Sequence, residues 1–330
     1  MAERLRIGTL GAARITPPAL LRPARKLAEV EVVAVAARDE ARARRFASKH
    51  DIPRVLPSYE ALIADPEIDA IYNPLPNGLH CEWTIKALEA GKHVLCEKPL
   101  ASNAQEARRM AEAAERSGRI LAEAFHWRYH PLAARMRELV EAGELGRVRR
   151  VEVSTCVPLP LPGDIRYRLD LAGGATMDIG CYAVNIARFL AGAEPEVVTA
   201  EARLSSPRVD RWMRAELAFP DGVSGRVTCA LFSAQLLKIQ AVVEGESGRM
   251  QVFNPLAPGI YHRLRVSNSS GVRRERVPGG MTYEYQLEAF AKWVLEGIPM
   301  PSDAEDGIRN MQVIDAIYEK SGLGMRGLGS

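Results

Sequence analysis

The sequence predicts an α/β protein in two parts. Residues 1–125 read as a doubly wound parallel sheet, and residues 126–330 as an α+β unit around a large, mainly antiparallel open sheet. Three observations carry this. Short β-branched runs alternate with amphipathic helical patterns in the first third, as parallel sheets covered on both faces require. After about Phe125 strand-like segments follow one another with only turns between them, which favours antiparallel pairing. The chain, at 330 residues, is also too long for one small core and long enough for two domains.

In chain order, strands are expected at Arg6–Leu10, Val32–Ala36, Ala70–Asn73, His93–Cys96 and Ile120–Ala124. Helices are expected at Pro18–Glu29, Glu40–His50, Tyr59–Ala64, Cys81–Ala90 and Ala104–Ser117, with Gly91 and Gly118 as left-handed stops after two of them. A helix over Leu132–Ala142 leads to a strand, Val148–Val157, then the Pro- and Gly-rich loop PLPLPGD and a helix from about Ala175 to Leu190. Val197–Val277 reads mostly as strands joined by turns such as PDG and GESG. Helices near Tyr283–Glu296 and Ala304–Lys320 close the fold, and the tail GLGMRGLGS is expected to fray.

Composition narrows the function classes. A hydrophobic share of 47%, a charged share of 26% and a net charge of +3 are those of an ordinary globular chain. The run Arg147–Arg150 lacks flanking aromatics, so a solvated strand entrance is preferred to a nucleic-acid partner. Five scattered cysteines, with no C-x-x-C pair, argue against a disulfide framework or zinc site and for a reducing cytoplasm. No apolar run reaches membrane-spanning length, so no membrane partner is expected. His126 and His130 are four apart, but Pro131 interrupts a helix through both, and no metal is expected.

Four stretches carry chemistry. GTLGAARIT, Gly8–Thr16, lies where a Rossmann-type strand-to-helix turn would hold a pyrophosphate, yet only Gly11 of the three fingerprint glycines survives; Ala13 and Thr16 take the other places. Helix N-terminal amides would still favour an anion there, although an ordinary βα turn explains the loop equally well. At the end of the next strand Ala37 stands where an acidic residue usually bonds a ribose hydroxyl, with Arg38 beside it. A guanidinium without a competing carboxylate suits a 2′-phosphate, so NADP(H) is favoured over NAD(H), unless Arg38 and Asp39 merely open a helix. In HVLCEKPL, Glu97, Lys98 and Pro99 arrive at the carboxyl edge of the sheet, where ligands bind in such folds. In GGATMDIGCYAVNIARFL, helical spacing puts Asp178, Tyr182 and Asn185 on one stripe, with Gly180 free to admit a close neighbour; a capped helix with an exposed polar stripe is the bland alternative.

Together GTLGAARI, EKP, EAFHWRYHP (Glu123–Pro131) and GGATMDIGCY resemble the Gfo/Idh/MocA oxidoreductases, in order and spacing over nearly the whole chain. Within that family the look is of the branch with glucose–fructose oxidoreductase, NADP-dependent xylose dehydrogenase and dimeric dihydrodiol dehydrogenase. The resemblance implies a cofactor site over Gly8, Gly11, Ala12, Ala13, Arg14, Ile15 and Arg38, flanked by Pro74, Asn77, His80 and Glu97, with Trp127 and Arg128 near the nicotinamide. It implies Lys98 beside the reacting oxygen, Asp178 orienting substrate and Tyr182 as proton donor or acceptor, with Trp127 as a pocket wall; Asn185, on the same helical stripe, is taken as a further substrate contact. His126 departs from the apolar residue, often Met, expected there.

The expected activity is hydride transfer between a nicotinamide and a carbinol or carbonyl carbon of a sugar, ketosugar or cyclic polyol. Two alternatives remain open: a lyase or glycosidase that keeps its nicotinamide bound and uses it transiently, and a non-catalytic NADP-binding sensor. An open sheet face, together with the resemblance, suggests a homodimer, with a tetramer possible.

Overall fold

The computed structural model describes residues 4–159, 163–235 and 237–327. Part of the PLPLPGD loop and the last three residues of the tail thus lie outside the described residues. The chain packs as two compact units, Met1–Phe125 with Tyr283–Ile308, and His126–Thr282 with Arg309–Ser330. A contiguous division at residue 125 therefore misassigns 283–308. Helical periodicity identifies a buried face but not the layer against which it packs.

The first unit is a six-stranded parallel sheet in the order β3-β2-β1-β4-β5-β6. Its strands are β1 (Leu5–Leu10), β2 (Val30–Ala36), β3 (Arg54–Leu56), β4 (Ala70–Asn73), β5 (His93–Cys96) and β6 (Leu121–Glu123). The order reverses between β1 and β4, which creates a crevice at their carboxyl ends. β3 escapes a pattern search because it is a three-residue edge strand between Pro53 and Pro57. Local chemistry marks the helix ends clearly. Asp39 caps α2 (Glu40–His50) by accepting from the Arg42 amide at 3.0 Å, and Asn103 caps α5 (Ala104–Ser117) through the Glu106 amide at 2.8 Å. Each such cap contributes about 1 kcal/mol. Gly118 ends α5 at φ +62°, a backbone conformation open to glycine without steric cost.

One expected helix is shorter than its pattern. Pro18–Glu29 is a wide π-type turn, Pro17–Leu21, running into α1 (Arg22–Ala24). Pro23 brings no amide to continue the hydrogen-bond ladder, so the segment ends in turns. Residues 283–308 return to the edge of the same sheet. There Ala122 bridges Asp303, the Glu123 amide donates to the Ser302 carbonyl at 2.8 Å, and Gly307 lies close enough to Leu100 that a Cβ would come within 2.4 Å of its side chain.

The second unit holds an eight-stranded sheet in the order β14-β13-β12-β11-β7-β10-β9-β8. Its strands are β7 (Val148–Cys156), β8 (Glu196–Ser206), β9 (Val209–Ala218), β10 (Ser224–Ala230), β11 (Lys238–Gly245), β12 (Gly248–Phe253), β13 (Arg263–Asn268) and β14 (Gly271–Glu275). All neighbours are antiparallel except β7 and β10, which run parallel over Arg150–Cys156 and Ser224–Ala230. Val151, Val153, Val227 and Cys229 point to the covered face, against which the buried helix Cys181–Ala191 packs. On the other face Arg226 pairs with Glu216 at 2.6 Å, Arg150 with Glu152 at 2.6 Å and Gln251 with Gln240 at 3.0 Å. That face is thus charged rather than apolar.

The tail is not frayed as far as it is described. Arg326 is fully buried, its guanidinium 3.8 Å above the Tyr318 ring and 3.3 Å from the Asp210 carboxylate. A single arginine in a glycine-rich tail gives no sequence signal for a partner more than a hundred residues away.

Candidate active site

In the first unit the loop after β1 turns at Gly11, which has φ +78° and donates its amide to the Ala36 carbonyl at 2.6 Å. A Cβ at Gly11 would lie 3.2 Å from the Leu75 side chain in the loop after β4, so the missing side chain keeps a cradle open at the crevice. Gly8 has a different task. Its Cβ would come within 2.9 Å of Leu62 and Ile68, so it lets α3 (Tyr59–Ala64) and the turn before β4 pack on β1. The helix after the loop offers fewer amides to an anion than expected, because it begins with Pro17 and Pro18, which carry no N–H. What remains is the backbone of Ala12, Ala13, Arg14 and Ile15, with Arg14 exposed. Thr9 and Thr16 also bury hydroxyls that find no partner among the described residues. An open glycine cradle and unpaired hydroxyls at a strand-order reversal fit a dinucleotide phosphate.

Around that loop Ala37 is buried and Arg38 exposed, while Asp39 is engaged as a helix cap. Pattern reading missed Arg42, whose guanidinium donates to the Ala12 carbonyl at 2.8 Å and steadies the loop. The contact joins residues thirty apart in the chain, so no local spacing signals it.

The loops after β4 and β5 are tied together by His80. Its Nδ1 lies 2.8 Å from the Pro99 carbonyl and its Nε2 2.7 Å from that of Leu75. Burial pulls the ring's pKa down to about 4, and the ammonium of Lys98 adds to the lowering, against the two carbonyls, which favour a charged ring. Complete burial decides the direction, so one of the two contacts is not a donated hydrogen bond at neutral pH. His80 spends its ring on backbone and joins Pro74–Leu75 to the Glu97–Pro99 turn. Glu97, also buried, accepts from the Tyr72 hydroxyl at 2.7 Å, and Lys98 beside it is half-buried. Asn77 is half-buried on the short helical turn Asn77–Leu79 before α4 (His80–Glu89).

In the second unit the GGATMDIG stretch forms a π-type turn, Thr176–Gly180, that runs into the helix Cys181–Ala191. Each of its glycines has a structural cause. A Cβ at Gly173 would strike the carbonyl oxygens of Arg166 and Arg168 at 2.6 and 2.7 Å, and one at Gly180 the Cys229 Sγ at 2.7 Å. Gly174, at φ +136°, lies against Asp210, whose Oδ2 accepts from both the amide and the hydroxyl of Thr176 at 2.8 and 2.7 Å.

The close approach of residues 166–168 to Gly173 brings a charge partner to Asp178. Arg166 Nε donates to the Asp178 carboxylate at 2.9 Å while its Nη1 holds Asp164 at 3.1 Å. Asp178, more than any other neighbour, keeps that guanidinium charged. Sequence reading missed Arg166, since the loop between PLPLPGD and GG shows no periodicity. Tyr182 is buried rather than part of an exposed stripe, with its hydroxyl 3.0 Å from Nε2 of His126. Asn185 is buried and accepts from the Trp127 indole N–H at 3.1 Å. Trp127 is fully buried with its ring edge-on to Phe189 at 5.2 Å, and Arg128 lies 5.6 Å above the same Phe189 ring. The Trp127–Asn185 pair therefore braces the segment after Phe125 against the Tyr182 helix.

The two remaining histidines of EAFHWRYHP divide their work. His130 is the N-cap of α6 (Pro131–Glu141), its Nδ1 accepting the Leu132 amide at 3.0 Å. His126 bonds side chains instead, Thr282 Oγ1 at 2.7 Å as well as Tyr182. All five cysteines are free and buried, and among the described residues no helix is long and apolar enough to cross a membrane.

Comparison with known proteins places this architecture. Residues 5–125 match the model of an oxidoreductase family with an NAD-binding Rossmann fold, and residues 133–251 match the GFO/IDH/MocA C-terminal domain. The chain is 39% identical to a D-xylose 1-dehydrogenase (NADP(+)) of Haloferax volcanii over 96% of this chain and 97% of that protein. Among solved structures it resembles a 3-ketoreductase from Actinomadura kijaniata in complex with NADP and TDP-benzene, with TM-score 0.89 and 30% identity over 96% of this chain and 98% of that one. It also resembles an aldose-aldose oxidoreductase from Caulobacter crescentus complexed with glycerol, with TM-score 0.88 and 25% identity over 97% and 98%. With both halves matched and a relative at 39% identity spanning nearly all of its length, the chain belongs to the Gfo/Idh/MocA family of oxidoreductases.

Proposed function

We propose that the protein is an NADP(H)-dependent dehydrogenase or reductase acting on a CH–OH or C=O carbon of a sugar, ketosugar or cyclic polyol. The observation that carries this reading is the turn Thr176–Gly180 and its helix, which hold a carboxylate and a phenol, Asp178 and Tyr182, each in a defined polar contact. Relatives named for D-xylose and for aldoses support a free sugar, while the 3-ketoreductase marks a keto group on a nucleotide-linked sugar as the second candidate.

When bound, the nicotinamide supplies the acceptor or donor of hydride. The chain's own groups handle binding and the proton. The Gly11 loop and the exposed Arg38 hold the dinucleotide, with Arg38 on the 2′-phosphate. Asp178, steadied by Arg166, orients a substrate hydroxyl. Tyr182 Oη takes the hydroxyl proton in oxidation and returns it in reduction. A phenol titrates at about 10 in water and is a weak base at neutral pH. The family pattern assigns Lys98 to the reacting oxygen, where an ammonium favours the negative charge that develops on it.

The test is absorbance at the reduced-nicotinamide band over aldoses, inositols and ketosugars with both cofactors. Tyr182→Phe and Lys98→Ala should each lower turnover by about 10²–10⁴-fold while NADPH affinity stays within a few-fold. Unchanged turnover in both refutes the assignment. A nicotinamide that co-purifies and does not exchange would point instead to a lyase or glycosidase, and binding without turnover to a sensor. The open face of the eight-stranded sheet, rich in paired arginine and glutamate, is our candidate for homodimer contact, and sedimentation of the purified protein checks it.

A further inference from the structure

His126 stands where the resemblance leads one to expect an apolar side chain such as methionine, and the structure gives it two bonds that methionine cannot make. Its ring is 6% exposed, with Nε2 3.0 Å from Oη of Tyr182 and Nδ1 2.7 Å from Oγ1 of Thr282. The two rings meet at 65° with centroids 5.6 Å apart, so the phenol oxygen meets the nitrogen edge of the imidazole rather than its face. Tyr182 and Thr282 are both buried as well, which leaves the three groups a short polar line inside an otherwise packed region.

We infer that Thr282, His126 and Tyr182 form a proton relay, with His126 taking the proton that Tyr182 must pass on. The inference rests on the reading of Tyr182 as the acid/base. In oxidation the substrate O–H breaks and its proton bonds to Tyr182 Oη, as the phenol's own proton moves to Nε2 of His126. A bound oxidised nicotinamide would supply the acceptor for the electron pair of the substrate C–H bond. That leaves a carbonyl compound, neutral Tyr182 and an imidazolium whose Nδ1–H is held by Thr282 Oγ1. The proton on the ring is then released to water, and reduction runs the same steps backwards. The relay removes the need for a standing phenolate, because the final acceptor is an imidazole, a far better base at neutral pH than a phenol.

Both contacts are to hydroxyls, so the relay itself requires one tautomer. For Nε2 to receive, the neutral ring carries its proton on Nδ1 and donates it to Thr282. Histidine-selective ¹⁵N NMR of the wild-type protein, with the His126 signals identified by their loss in His126→Gln, should show the Nδ1-protonated form, and Nε2 should shift in Tyr182→Phe. Kinetically, His126→Gln can still hydrogen-bond the phenol but cannot carry a proton. It should lower kcat for oxidation about 100-fold, and His126→Met should do the same, with substrate KM and NADPH Kd within about twofold; Thr282→Val should cost about tenfold.

The relay is overturned if His126→Gln keeps more than half of wild-type kcat, or if the resting ring is protonated at Nε2. The second result is read on the unmutated protein, and where His126→Gln fails to fold, loss of the same signals in His126→Met identifies them. Failure of the underlying reading looks different. There Tyr182→Phe itself retains turnover, whereas a lost Tyr182→Phe beside an active His126→Gln sinks the relay alone.

Discussion

Replacing Arg326 by methionine should destabilise the second unit far more than a tail position normally would. Arg326 and Asp210 are both fully buried, 3.3 Å apart, and the guanidinium also covers the Tyr318 ring at 3.8 Å. Methionine fills similar space but leaves the Asp210 carboxylate buried without its countercharge. Removing one partner of such a pair costs about 3–5 kcal/mol. Asp210 keeps three donors, the Thr176 amide and hydroxyl and the Tyr318 hydroxyl at 2.9 Å, and the tail can lift to admit water. Both effects place the expected loss at the low end, about 3 kcal/mol. Urea unfolding followed by tryptophan fluorescence measures it, since Trp212 lies two residues from Asp210 on β9. The double variant Asp210→Asn/Arg326→Met removes both charges, and a cycle through the single variants should give a coupling of at least about 1 kcal/mol. Turnover should fall too, because Asp210 fixes the start of the turn that carries Asp178. An Arg326→Met protein within about 0.5 kcal/mol of wild type, the range of ordinary surface changes, refutes the argument.

Gly180→Ala drives a Cβ to 2.7 Å from Cys229 Sγ and should cost about 1–3 kcal/mol, partly recovered by adding Cys229→Ala; thermal melts of the three variants decide it. His130 accepts an amide at Nδ1, and burial together with neighbouring His262 lowers its pKa from 6.5 to about 4. Between those values the unfolded chain holds more protons, so stability rises with pH from about 4 to 6.5 and is complete above it, by about 1–3 kcal/mol. His130→Asn keeps a capping oxygen and should flatten that part of the stability–pH curve, and an unchanged slope would contradict the assignment. Arg166→Met removes the guanidinium that Asp178 accepts from and should raise substrate KM more than about tenfold with little change in NADPH affinity, measured by steady-state kinetics and fluorescence titration. Arg38→Glu should weaken NADPH at least about tenfold while sparing NADH, and equal losses for both would remove Arg38 from the 2′-phosphate.

Most elements were legible because their signals are local. α2, α5 and the helix Ala304–Lys320 fall on their expected residues, the first two bounded by a side-chain N-cap. Lys98 at the end of β5 and Asp178 and Tyr182 on one helical segment followed from strand ends, spacing and family pattern. What failed to show was non-local: Arg166 behind Asp178, Arg42 under the Gly11 loop, Arg326 on Asp210, and the return of residues 283–308 to the first unit.

By itself the sequence determined the alternation of strands and helices, their caps, the parallel and antiparallel halves and the chemical groups offered at the sheet edge and on the Tyr182 helix. Those properties depend on backbone preference and side-chain period over a few residues. Only the tertiary structure decided which arginine answers which carboxylate, that His126 bonds a phenol while His130 caps a helix, and that a glycine-rich tail holds a buried ion pair. Such pairings join residues far apart in the chain. Their energy depends on distance and burial in the folded state, which no local pattern of residues encodes.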